Sequence, residues 1–122
     1  MRLAAATLAA LAACAAPLGA AAPAPARVQV TAKEFFLALS RRSIVAGPAI
    51  VELVNFGEDA HDVRLRRDGG TRVYRTPAVE PGAYFDLEVT LAPGRYRLWC
   101  GIANHRALGM SAALTVVARA RR

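Results

Sequence analysis

The sequence is short of the side chains that most often bind or react. Its 122 residues include two cysteines, two histidines, two methionines and one tryptophan. Lysine is nearly absent, since fifteen of the sixteen basic residues are arginine. There is no internal repeat, which excludes a repeat array, and no low-complexity tail beyond the terminal "RARR". After residue 27 no stretch keeps a helical hydrophobic period for three turns, which argues against a helical bundle. The Ala-rich run near the start is too short for a spanning helix, which needs roughly 20 apolar residues.

The shortage of cysteine is the most informative of these. The opening "MRLAAATLAALAACAAPLGAAAPAPA" has a positive residue at Arg2, an uncharged Ala-rich run to Ala16, and small residues at several cleavage positions. That is the layout of a secretory signal. We expect residues 1–26 to be this signal and residues 27–122 to form one folded domain. "LAAC", Leu11 to Cys14, also resembles the lipobox of bacterial lipoproteins. On that reading Cys14 becomes the lipidated first residue and the Ala/Pro segment a tether. Both readings export the protein to the periplasm or cell envelope, and both remove Cys14 from the fold. The domain then keeps one cysteine, Cys100, which has no internal disulfide partner. A domain of about 95 residues does not need a staple to fold, so Cys100 calls for a chemical reason.

The formal charge is +7. In an exported domain this favours acidic partners or anionic lipid head groups over nucleic acid. The body of the chain reads as short strands separated by turns at "VAGP" (45–48), "RDGG" (67–70), "VEPG" (79–82) and "LAPG" (91–94). Side chains alternate between the two faces of a strand. Arg64 and Arg66 face water, so Val63, Leu65 and His61 face in. Arg95 and Arg97 face out, so Tyr96, Leu98 and Cys100 face in. Leu114 and Val116 face in with Ala112, and Met110 lies in phase with them. Phe85, Leu87 and Val89 form a further inward set. Several short antiparallel strands of this kind predict an all-β sandwich or barrel. His61 at the start of one strand, Cys100 at the end of another and Met110 at the start of the last would meet at one pole.

Beyond residue 27 the chain has two histidines, one cysteine and one methionine, and all four fall in this arrangement. Thiolate and thioether select copper(I), and imidazole suits copper in either state. A His₂Cys trigonal set with a weak axial Met is a blue-copper electron-transfer arrangement. Zinc competes for Cys and His but does not favour thioether. Acyl transfer by Cys100 and His105 leaves His61 and Met110 unexplained, and no orienting acid or oxyanion element stands out.

Three segments carry a resemblance that covers roughly Val28 to Ala118. They are "NFGEDAHD" (55–62), "LAPGRYRLWC" (91–100) and "CGIANHRALGM" (100–110). The chain resembles the cupredoxins, the small blue type 1 copper proteins of the plastocyanin, azurin and auracyanin kind. The resemblance implies a Greek-key β-sandwich or barrel and one type 1 copper. It implies Cys100 as the strong thiolate ligand, His61 as the buried equatorial ligand, and His105 as the ligand nearer solvent and the electron exit. Met110 would be the weak axial ligand. The implied function is single-electron shuttling between redox proteins with acidic surfaces, by a monomer that is not itself an enzyme. It would meet a membrane only through a lipid on Cys14. Copper storage, delivery or resistance is the alternative, though the chain has no Met/His-rich tract. A metal-free interaction domain is the third reading. Some positions depart from the family. Ala103 and Asn104 stand where Pro-Gly is common, and we expect Asn104 to adopt the left-handed turn conformation. Asp62 replaces a usual Asn that ties the two ligand loops together; it can accept the same N–H bonds but adds a charge. Trp99 should face away from the metal side.

Overall fold

A computed structural model gives the fold and describes residues 9–15, 19 and 22–121. Much of the leader read from residues 1–26 therefore lies outside the described residues. Cys14 is described and is exposed. No described helix is long and apolar enough to cross a membrane.

The alternating segments form nine strands: β1 (Ala26–Lys33), β2 (Phe36–Leu39), β3 (Ser43–Val45), β4 (Gly47–Asn55), β5 (Arg64–Arg67), β6 (Val73–Arg75), β7 (Tyr84–Leu91), β8 (Gly94–Trp99) and β9 (Ser111–Val117). They make a sandwich of two sheets, ordered β2-β1-β4-β7 and β3-β9-β8-β5-β6. The fold is an all-β sandwich of two mixed sheets. It differs from the expectation of antiparallel strands, because β1 pairs with β4 and β3 with β9 in parallel. The reason lies at residues 45–47. There the chain leaves one sheet after β3 and enters the other as β4, and Gly47 makes that switch at φ 114°, a conformation that side chains with a Cβ resist.

The inward parity holds over most of the chain. Val28, Val30 and Ala32 of β1, Val51 and Leu53 of β4, Leu65, Tyr96, Leu98, Leu114 and Val116 are buried between the sheets. Each large aliphatic among them contributes roughly 1.5–3 kcal/mol of hydrophobic stabilisation. Tyr96 places its ring in this core and donates its hydroxyl to the Ala92 carbonyl at 2.9 Å. The third inward set is only partly right. Leu87 and Val89 pack on the core, but Phe85 is 37% exposed. β7 is an edge strand, and its first three residues are exposed.

The chain ends its buried strands at one pole, and there polar side chains enter the interior. Asn55, the last residue of β4, is fully buried. Its amide donates to the carbonyls of Asp59 at 2.7 Å and Val79 at 2.8 Å, and its oxygen accepts the Gly57 N–H at 2.8 Å. One side chain thus fixes the loop that leads to His61. Among the described residues no buried side-chain nitrogen or oxygen lacks a partner.

Candidate metal centre

His61 does not belong to β5, as its parity suggested. It lies three residues earlier and forms an isolated antiparallel bridge with Val79. Its N–H donates to Val79 O at 3.1 Å, and Val79 N–H donates back at 2.7 Å. Thr76 continues the same clamp by accepting the Val63 N–H at 3.1 Å. Cys100 and Met110 stand just outside β8 and β9, and the Cys100 N–H donates to Met110 O at 3.1 Å. The loop between them is therefore closed at its base. It is also tied inside, with His105 N–H to Ile102 O and Met110 N–H to His105 O, both 3.1 Å.

This loop turns at Ala103, with φ 46°, and not at Asn104 as expected. The His105-to-Ile102 bond makes Ala103 the first central residue of a β-turn, and that position takes the positive φ. Gly109 is also left-handed, at φ 123°, and a Cβ there would lie 2.9 Å from the Phe35 carbonyl oxygen. The glycine lets the loop settle on the turn between β1 and β2.

The folded chain brings Cys100, His61 and His105 together. The Cys100 Sγ lies 4.0 Å from His61 Nδ1 and 3.7 Å from His105 Nδ1. The three donor atoms all lie within 4.8 Å of one another. The two imidazole rings are tilted, with centroids 5.0 Å apart. With nitrogen at about 2.0 Å and sulfur at about 2.3 Å from one ion, spread trigonally, each nitrogen would lie about 3.7 Å from the sulfur. The two observed sulfur–nitrogen separations are close to that. His61 is 0% exposed and His105 7%. Met110 is also fully buried, joined through its backbone to both Cys100 and His105. Burial pushes the Cys100 thiol up from its ordinary value, so a metal bound there must displace a proton.

Around these donors lies a second set of contacts. Asp62 Oδ1 accepts the Gly101 N–H at 2.6 Å, and its Oδ2 accepts from Arg64 Nε at 3.2 Å. The residue after His61 thus holds the residue after Cys100, and a guanidinium covers the added charge. Gly101 leaves room for this, since a Cβ there would run into the Arg64 side chain. Trp99 faces outward and stacks under Arg106, whose Cζ lies 4.7 Å from the ring centroid.

Other members of the site carry no signal in the sequence. Glu34, in the β1–β2 turn, places Oε1 3.0 Å from His61 Nε2. The Asp59 N–H, at 2.7 Å, is the main cause that holds the Glu34 carboxyl at about 2; burial opposes it, and the bonds from His61 and Glu58 add to it. Phe35 places its ring 5.1 Å from that of His105. Asp59 Oδ2 lies 3.8 Å from His105 Nε2. These groups come from a segment more than twenty residues from either histidine, or from a loop whose spacing is not diagnostic. Only Asn55 and Asp59, inside the "NFGEDAHD" segment, were within reach of motif reading. Leu108, in the same loop as His105, is 49% exposed, and Ile102 is half-buried.

No protein-family model and no curated protein matches the sequence. Solved structures do. A dithionite-reduced auracyanin from Roseiflexus castenholzii superposes with a TM-score of 0.62 at 18% identity, over 78% of this chain and 99% of that one. Auracyanin A, a "blue" copper protein from Chloroflexus aurantiacus, gives 0.62 at 15% identity, over 76% and 99%. A blue copper oxidase from Nitrosomonas europaea gives 0.59 at 15% identity, over 81% of this chain but only 41% of its own.

Proposed function

Starting from a chain with the cupredoxin fold, we propose that this protein is a blue-copper electron carrier, binding one type 1 copper and passing single electrons between redox partners. The observation that carries the reading is the meeting of one thiol sulfur and one imidazole nitrogen from each histidine, all within 4.8 Å, on buried residues, with the sulfur 4.0 and 3.7 Å from the two Nδ1 atoms. Cys100, His61 and His105 would hold the metal, with Met110 as a weak fourth donor from the loop's closing end. Bound copper supplies a one-electron couple that no side chain here provides alone.

The protein's own part is to hold the donors still. Cys100 and Met110 are joined backbone to backbone, His61 is bridged to Val79, and Asp62 ties the His61 segment to Gly101. Donors fixed this way do not follow the geometric preference of either oxidation state, which keeps reorganisation small. The same rigidity supports a carrier over storage or delivery, which needs ligands that open. Export, read from the leader, would place the protein in the periplasm or at the cell envelope.

The outer face of the five-stranded sheet supports acidic partners. The strand register puts Arg64 beside Arg75, and Arg66 beside Arg97, on one face with Arg95. Arg106 adds a sixth cation over Trp99. Such a field speeds encounter with an acidic surface and is screened by salt.

The test is a visible spectrum of protein loaded with one equivalent of copper(II). We expect an intense thiolate-to-copper band that Cys100→Ser abolishes. Met110→Leu should keep the band and raise the reduction potential, because losing a donor hurts copper(II) more. A colourless copper complex of the intact protein would remove the reading.

A further inference from the structure

The second carboxylate at the pole, Glu34, has the contacts of a part built for the site. It lies in the turn between β1 and β2, across the sandwich end from the ligand loop. Its Oε1 accepts N–H bonds from Glu58 at 2.9 Å and Asp59 at 2.7 Å, and faces His61 Nε2 at 3.0 Å. Gly57 makes the space, because a Cβ there would collide with the carboxylate. The neighbouring Phe35 touches the other side of the centre, with its ring 5.1 Å from His105.

We propose that Glu34 is a positioning residue for the metal centre, which locks His61 in the Nε2–H tautomer and, through the Asp59 backbone, sets a second carboxylate beside His105. An ionised carboxylate can only accept hydrogen bonds. A neutral imidazole facing it must therefore carry its proton on Nε2, which leaves the Nδ1 lone pair directed at the Cys100 sulfur. The bond also fixes the ring's rotation and makes Nδ1 a stronger donor, as outer carboxylates do for ligating histidines. The Asp59 N–H is held by the same oxygen, so the loop that carries the Asp59 side chain to 3.8 Å from His105 Nε2 rests on Glu34 as well. One side chain remote in sequence thereby bears on both imidazoles.

This inference rests on the metal-binding reading, so its first test needs no metal. Nitrogen NMR of the metal-free protein at neutral pH should show His61 as the Nε2–H tautomer, and a mixture of tautomers in Glu34→Ala. Finding Nδ1–H in the parent would overturn the proposal while leaving the blue-copper reading to its own spectrum. In copper-loaded protein, Glu34→Ala should weaken copper(II) affinity roughly 10- to 100-fold. Glu34→Gln keeps an acceptor oxygen without the charge. It should recover most of the affinity and hold the potential above the parent's. Gly57→Ala, which displaces the carboxylate without removing it, should reproduce the Glu34→Ala tautomer mixture and guards against a variant that fails to fold. If Glu34→Gln and Gly57→Ala lower stability but leave tautomer, affinity and potential unchanged, Glu34 is only a structural support.

Discussion

His61 and His105 turn the same nitrogen toward Cys100, yet they are held in opposite ways. His61 is sealed from solvent and fixed by partners far away in the chain: Val79 on its backbone and Glu34 on its ring. His105 is held by its own loop, through Ile102 and Met110, and the exposed Asp59 lies 3.8 Å from its outer nitrogen. One half of the centre is part of the sandwich. The other half is a local device attached to it at Cys100 and Met110. The two halves contribute differently. The rigid one fixes the geometry, and the loop carries its ring to the surface, with Leu108 exposed in the same loop.

The strongest way to break this comparison is to remove each ring in turn. His61→Gly and His105→Gly should both lose the intense visible band of the copper(II) protein. Added imidazole should restore it in His105→Gly at much lower concentration, because only that ring adjoins the surface. Equal restoration in both variants would show that the halves are not different in access.

A smaller effect concerns acid. The Glu34 carboxyl is held at about 2, below its ordinary 4.5. A depressed carboxyl contributes stability that is present above about pH 4.5 and is lost as pH falls toward 2. In metal-free protein the stability difference between parent and Glu34→Gln should therefore shrink as pH falls from 5 to 2. Denaturant midpoints taken across that range would check it, and a constant difference would contradict it.

The smallest effect belongs to the loop half. Ala103 holds φ 46°, a conformation that costs a residue with a Cβ roughly 1 kcal/mol. Ala103→Gly should relieve that and raise stability by up to about 1 kcal/mol, measured by chemical denaturation, with the visible band unchanged. A loss of stability would mean that the loop needs the restriction more than it suffers from the strain.

The two halves also differed in how far they could be read beforehand. The loop half is local. Cys100, His105 and Met110 lie within eleven residues, and their residue types alone suggested a site. Even there the left-handed turn was assigned to Asn104 by residue preference, while in the structure it falls on Ala103, the other central residue of the turn closed by His105 N–H to Ile102 O. In the sandwich half, the parity of Val63, Leu65, Tyr96 and Leu98 was legible because a half-buried strand must alternate. Phe85 followed the same rule and is nonetheless exposed, because alternation says which face a residue takes and not whether anything covers that face. His61 was legible as a donor, but its clamp by Val79 and Thr76 was not.

The sequence by itself determined the strands, the inward faces and the small stock of donors, since these depend on neighbours along the chain and on side-chain chemistry. The tertiary structure alone decided that β1 runs parallel to β4 and that Phe35 lies against His105. It alone put a carboxylate 27 residues from His61 on that ring's outer nitrogen. Such contacts join segments whose separation in the chain has no period and no preferred spacing, so nothing local encodes them. They follow only when both sheets have buried their apolar faces and the loops at the pole must satisfy the polar groups left between them.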